Sequence, residues 1–148
     1  MLCRRVVIAG ALLSLTIAAD GAPKSNPPEE CPVPSSEREK ILETLQNAPS
    51  CDQAVELFRA CSGGASGDVE FGAVVVKNCE GGFLGRLTAQ QKKVYDAEQR
   101  RCARKYANEQ GTMYRSFEAH CGAEVAQKYA RRFTGRAAGS PVRKSPAK

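Results

Sequence analysis

The chain contains one histidine, His120, and a cysteine, Cys121, follows it directly. A thiol beside an imidazole is the raw material of nucleophilic catalysis, in which the imidazole takes the proton and the thiolate attacks. The same cysteine could equally be a crosslink with the histidine as a bystander. Helical spacing decides between them. Thr112 to about Phe133 reads as a helix, with Met113, Phe117, Cys121 and Val125 on one apolar stripe. Neighbours on a helix point roughly 100° apart, so His120 and Cys121 do not face each other. A thiolate on an apolar stripe is unfavourable, and His120 lies off the stripe. No second histidine exists to serve as base. Cys121 is therefore expected to be architectural, and the chain is expected not to be an enzyme.

Other chemistry is sparse. The sequence has no H-E-x-x-H, G-x-x-x-x-G-K-[ST] or G-x-G-x-x-G. "GASGD" at 64–68 departs from the G-x-S-x-G nucleophile elbow at its last residue. No cysteine spacing resembles a C-x-x-C metal or redox site, and no feature pairs two carboxylates across a cleft. Neither cofactor nor metal is expected.

The sulfurs make better sense as a framework. Of seven cysteines, Cys3 precedes an apolar run, Val6 to Ala19, that follows Arg4-Arg5 and leads into small residues, "AADGA". That three-part pattern predicts a signal peptide over residues 1–21; the run is short for a bilayer span, which needs roughly 20 residues. No second apolar run follows, so the mature chain is expected to carry no transmembrane segment and to be secreted or periplasmic. Six cysteines then remain, an even set that predicts three disulfides in an oxidising compartment.

The elements that would position them follow from caps and periodicity. Residues 22–35 are rich in proline and read as an extended leader pinned by Cys31. "SERE" from Ser36 and "SCDQ" from Ser50 each offer a helix start, with Glu39 and Gln53 three residues on. Ile41, Leu42 and Leu45 face one way, as do Ala54, Leu57, Phe58 and Cys61. Loop 62–68 ends in Asp68, a candidate cap for a third helix through Phe71, Val75 and Cys79. "AVVV" within it is β-branched and leaves a strand at 73–77 as the alternative. Thr88 and Gln91 form a capping box for a helix to about Gln110, and Gly111 breaks it from the last helix, with Gly135 beyond the end. The reading is all-α: a small disulfide-stapled bundle of about five helices in antiparallel hairpins over residues 36–135. The tail, 136–148, carries four bases among small residues, Pro and Ser, and is expected to be disordered.

Symmetry about the turns ranks the pairings. Cys102 and Cys121 lie nine and ten residues either side of Gly111, and Cys51 and Cys79 lie 14 either side of residue 65. Antiparallel helices leaving a tight turn bring such positions level, so Cys51–Cys79 and Cys102–Cys121 rank first, leaving Cys31–Cys61. Each bridge is worth roughly 2–4 kcal/mol, which matters with five Phe, four Tyr and no Trp to build a core.

Formal net charge is +6, but the layout is lopsided. Residues 20–80 hold eleven acids and five bases; residues 81–148 hold five acids and fifteen bases. Such a dipole can steer encounters with charged partners; solvated helix faces of opposite sign are the plainer account. "SPVRK" and "SPAK" are similar to tails that grip nucleic acid, a partner not expected for an exported chain.

At this point "SCDQAVELFRAC", "QKKVYDAEQRRCARKY" and "MYRSFEAHC" together resemble the LprI-type lysozyme-inhibitor domain family across about residues 50–133. Cys51, Cys61, Tyr106, Tyr114, Arg115 and Cys121 would be the matching positions. Tyr114 and Arg115-Ser116 stand where that family usually has Trp and Arg-Asp, and its Asp-x-x-Leu-Asn motif is not evident. The resemblance implies a small, exported, helical, disulfide-linked protein that binds a lysozyme-like partner. Many lysozymes are cationic, so the surface would come from Glu37, Glu39, Glu43, Asp52, Glu56, Asp68 and Glu70. The competing expectation is a module that binds an anionic envelope component or polyanion through the basic half. Tyr114, Arg115 and Tyr129, with Arg104 and Lys105, are the candidate binding surface.

Overall fold

The computed structural model describes residues 30–137, with side chains through Phe133. The signal peptide read at 1–21, most of the 22–35 leader and the tail from 138 onward lie outside the described residues. Within them the chain is all-α, with no strand. The helices are α1 (Arg38–Gln46), α2 (Cys51–Cys61), α3 (Gly67–Gly81), α4 (Ala89–Tyr106) and α5 (Thr112–Ala137), and a 3-10 turn at Leu84–Arg86 precedes α4.

Local chemistry explains most boundaries. The Ser50 hydroxyl accepts from the Gln53 amide at 3.2 Å and starts α2. Thr88 and Gln91 complete a reciprocal box at the start of α4. Gly111, with φ of +107°, makes the turn into α5 in a conformation that β-carbons resist. Three expected boundaries differ. α1 starts after Glu37, with no side-chain cap, because the chain is still turning at Ser36. α4 stops at Tyr106, so Ala107 to Gln110 belong to the turn. α5 runs past Gly135 to Ala137. The "AVVV" segment is helical, because α3 buries Phe71, Gly72, Val75 and Cys79 together, and that packing outweighs β-branched propensity.

α5 is the spine and lies against α3, α4 and α2. Its buried face is made of small residues, Gly122, Ala123, Ala126 and Ala130, with Ala119 partly buried beside them. Small side chains let helix axes approach closely. A β-carbon on Gly72 of α3 would stand 2.8 Å from that of Ala119. Ile41, Leu45, Val55, Phe58 and Val75 fill the opposite side of the core. Near the other end of α5, Tyr95 meets Phe83 edge-on at 5.2 Å and Tyr129 at 4.9 Å between ring centres.

Three disulfides lock this arrangement: Cys31–Cys61, Cys51–Cys79 and Cys102–Cys121. They are the two pairs that turn symmetry ranks first, with the one that those two leave. Cys51–Cys79 closes the α2/α3 hairpin and Cys102–Cys121 the α4/α5 hairpin. Cys31–Cys61 ties the extended segment before α1 to the end of α2. Such bridges belong to a protein that matures outside the reducing cytosol. No described helix is long and apolar enough to cross a membrane.

Candidate binding surface

Cys121 is spent in a disulfide, so it offers no thiolate to the imidazole beside it. His120 itself is turned inward rather than lying off the buried face. Its ring stacks on Phe58 at 4.2 Å, and Nε2 is 2.9 Å from the Ser62 hydroxyl. Burial holds the imidazole below its ordinary pKa; Asp68 and Glu124 pull it back up, while Arg59 adds to the depression.

Asp68 does not cap α3 from outside. It sits in the first turn, buried, and its carboxylate gathers the loop that precedes it. It accepts from the amides of Gly63, Gly64 and Ala65 at 2.9–3.2 Å and from the Ser116 hydroxyl of α5 at 2.6 Å. Four donors replace the water the carboxylate lost, which is the condition for keeping a charge inside. These groups hold a loop to α5; none is aimed at open space.

The proposed surface residues separate into two sets. Tyr129 is only 5% exposed, and its hydroxyl donates to Glu98 at 3.1 Å. It belongs to the core, because α5 buries its alanine face and carries Tyr129 inward beside Ala126 and Ala130. Burial and the Glu98 carboxylate raise its pKa. Arg104, Lys105 and Arg115 are exposed, and Tyr114 is half-buried. These four gather at the end of the bundle where α4 turns into α5.

That end has two properties. The first is charge. Arg100, Arg101, Arg104 and Lys105 are exposed in the last two turns of α4, and Lys92 and Lys93, near the start of the helix, continue the same sign along its outer face. Among the described residues none of the six forms an ion pair, whereas Arg38, Lys40, Arg59, Arg115, Lys128 and Arg131 all do. The second is apolar exposure. Met113 is 51% and Phe117 42% exposed, where both were expected on the buried stripe. Tyr106, Tyr114 and Phe117 form a three-ring cluster with centres 6.0–6.4 Å apart. The Lys105 ammonium lies 4.9 Å from the centre of the Tyr106 ring.

The acidic half is different. Glu37 pairs with Lys40, Arg38 with both Glu39 and Glu70, and Asp52 with Arg131. Asp68 is internal. Of the seven acids, Glu43 and Glu56 remain without an ion-pair partner among the described residues.

An apolar groove of about 250 Å³ opens between α3, α4 and α5, floored by Gly72, Ala119 and Gly122 and bordered by Val69, Arg115 and Glu118. No cluster of three or more His, Cys, Asp or Glu suited to a metal ion occurs among the described residues.

Sequence reasoning missed Met113 and Phe117 as surface residues. Their i, i+4 spacing is that of a core stripe. The usable signal was the run of small residues at 119, 122, 123, 126 and 130, which marks a competing face suited to close helix contact. Phe117 follows buried Ser116 and so points about 100° away from that face.

Comparison with known proteins finds no matching family model, no matching curated protein and no matching solved structure.

Proposed function

We propose that this is an exported, non-enzymatic binding domain, secreted or periplasmic, that engages an anionic envelope component through the outer face of α4. The observation that carries this reading is the row of six exposed bases, none of which has a carboxylate partner among the described residues. Like charges on one helix repel and gain nothing from each other, so a row kept clear of counter-charges is what an anionic partner would neutralise. Arg104 and Lys105 also sit in the last turn, where the helix dipole favours cations.

The alternative, inhibition of a lysozyme-like protein, keeps the support of the resemblance around Cys51, Cys61, Tyr106, Tyr114, Arg115 and Cys121. A cationic partner needs a free acidic surface, however, and five of the seven acids expected to supply it are already engaged by bases of this chain or are internal.

Retention of the purified protein on immobilised dextran sulfate tests the reading. Binding is expected at low salt and should be lost as added salt shortens the screening length to a few ångströms. Arg104→Glu with Lys105→Glu should abolish it. Absence of binding at low salt, together with loss of lysozyme activity on titration with this protein, would replace the reading by the alternative.

A further inference from the structure

We infer that the turn between α4 and α5 docks on anionic phospholipid bilayers, with Phe117 and Met113 entering the headgroup layer while Arg104 and Lys105 hold lipid phosphates. The inference rests on the α4 reading above and names the partner of that surface. Three observations converge on one end of the bundle. Phe117 and Met113 are exposed one helical turn apart, so that two large apolar side chains stand together at the tip. Tyr106 and Tyr114 flank Phe117, and tyrosine's apolar ring with a polar tip suits the membrane–water boundary. The last turn of α4 supplies Arg104 and Lys105, neither with a carboxylate partner among the described residues, and Lys105 lies over the Tyr106 ring.

Charge complementarity selects the bilayer over a soluble polymer. A polyanion would satisfy the bases but would leave Phe117 and Met113 in water. An anionic leaflet satisfies both, because attraction to its surface charge and burial of apolar side chains add. The acids nearby are Glu109 in the turn and Glu118 on α5, and Glu118 is already paired with Arg115. Two bases in the last turn of α4 outweigh the one acid left facing the leaflet.

The chain has no tryptophan, so a single introduced one reports its own surroundings. Phe117→Trp places the reporter at the tip. Val94→Trp places it on α4, 45% exposed, about 18 Å back along the helix from Tyr106. With vesicles of phosphatidylglycerol and phosphatidylcholine, emission from the Phe117→Trp protein should shift to the blue and that from the Val94→Trp protein should not. Pure phosphatidylcholine should shift neither. In the otherwise native protein, Met113→Ser with Phe117→Ser, which removes the apolar groups without changing charge, should weaken vesicle partitioning at least tenfold and leave dextran sulfate retention unchanged. Retention on dextran sulfate without vesicle binding, or vesicle binding with no blue shift at position 117, would overturn the inference and leave the α4 reading standing. Binding to neither would remove both.

Discussion

The Ser116 hydroxyl of α5 donates to the buried carboxylate of Asp68, 48 positions earlier in the chain, at 2.6 Å. Through that carboxylate, which also collects three successive loop amides, the α2–α3 loop is fastened to the spine of the bundle. The loop itself buries little else, since Gly63, Ala65 and Ser66 are exposed. Asp68→Ala strands four donors, and a buried group left unsatisfied costs about 1–3 kcal/mol. Urea denaturation should show a loss near 3 kcal/mol for Asp68→Ala and near 1 kcal/mol for Ser116→Ala, within the same range. Amide exchange at 63–65 should accelerate in the first variant before the rest of the chain responds.

His120 makes stability depend on pH. Its pKa is lowered in the fold, first by burial, so the unfolded chain binds a proton more readily than the folded one. The neutral ring's contribution is therefore complete above the unfolded value of about 6.5 and is lost as pH falls through the lower folded value. Melting temperature should drop between pH 7.5 and pH 5.5. His120→Gln should flatten that slope, because it removes the group whose proton affinity differs between the folded and unfolded chain. An unchanged slope in His120→Gln would show that another group titrates.

Gly72→Ala sets two effects against each other. Alanine is the better helix former by about 1 kcal/mol. Its β-carbon would stand 2.8 Å from the Ala119 β-carbon and 3.3 Å from the Ala119 backbone. Backbone cannot step aside, so α3 and α5 must separate, and overpacking of this kind costs about 1–3 kcal/mol. Net destabilisation is expected in thermal unfolding, and adding Ala119→Gly should recover part of it.

Replacing Cys102 and Cys121 together by serine opens the α4/α5 hairpin and should cost about 3 kcal/mol. Denaturant titration measures it. In the native protein, iodoacetamide should leave Cys121 unlabelled until a reductant is added; labelling before reduction would contradict the bridge.

How much of this was legible beforehand depends on the kind of signal. The bridges were readable because two hairpins put sulfurs level on either side of a turn, a consequence of chain length alone. The Thr88–Gln91 box was readable because both partners lie within one turn of each other. The inward face of α5 was not. Periodicity weights large apolar residues, so Met113 and Phe117 outvoted Ala123 and Ala126, yet close approach to α3 selects the small ones. Tyr129 was misplaced for the same reason, and His120 with it: both lie on faces whose partners, Glu98 and Phe58, are distant in sequence. Asp68 looked like a cap because its role as a loop clamp depends on Ser116, which no local pattern connects to it.

The order of the crosslinks along the chain has a last consequence. Cys31–Cys61 and Cys51–Cys79 overlap, so a protease cutting once anywhere between residues 31 and 79 releases nothing; the severed ends stay joined through sulfur. A cut between 102 and 121 is held likewise. From Cys79 to Cys102 no bridge spans the backbone, and there a single cleavage divides the described molecule into two covalently separate halves, the acidic one and the basic one. Endurance against digestion there rests on packing rather than sulfur, with Phe83 and Tyr95 buried side by side, and the same holds beyond Cys121, where no bridge spans α5 and the buried Ala123, Ala126 and Ala130 hold it.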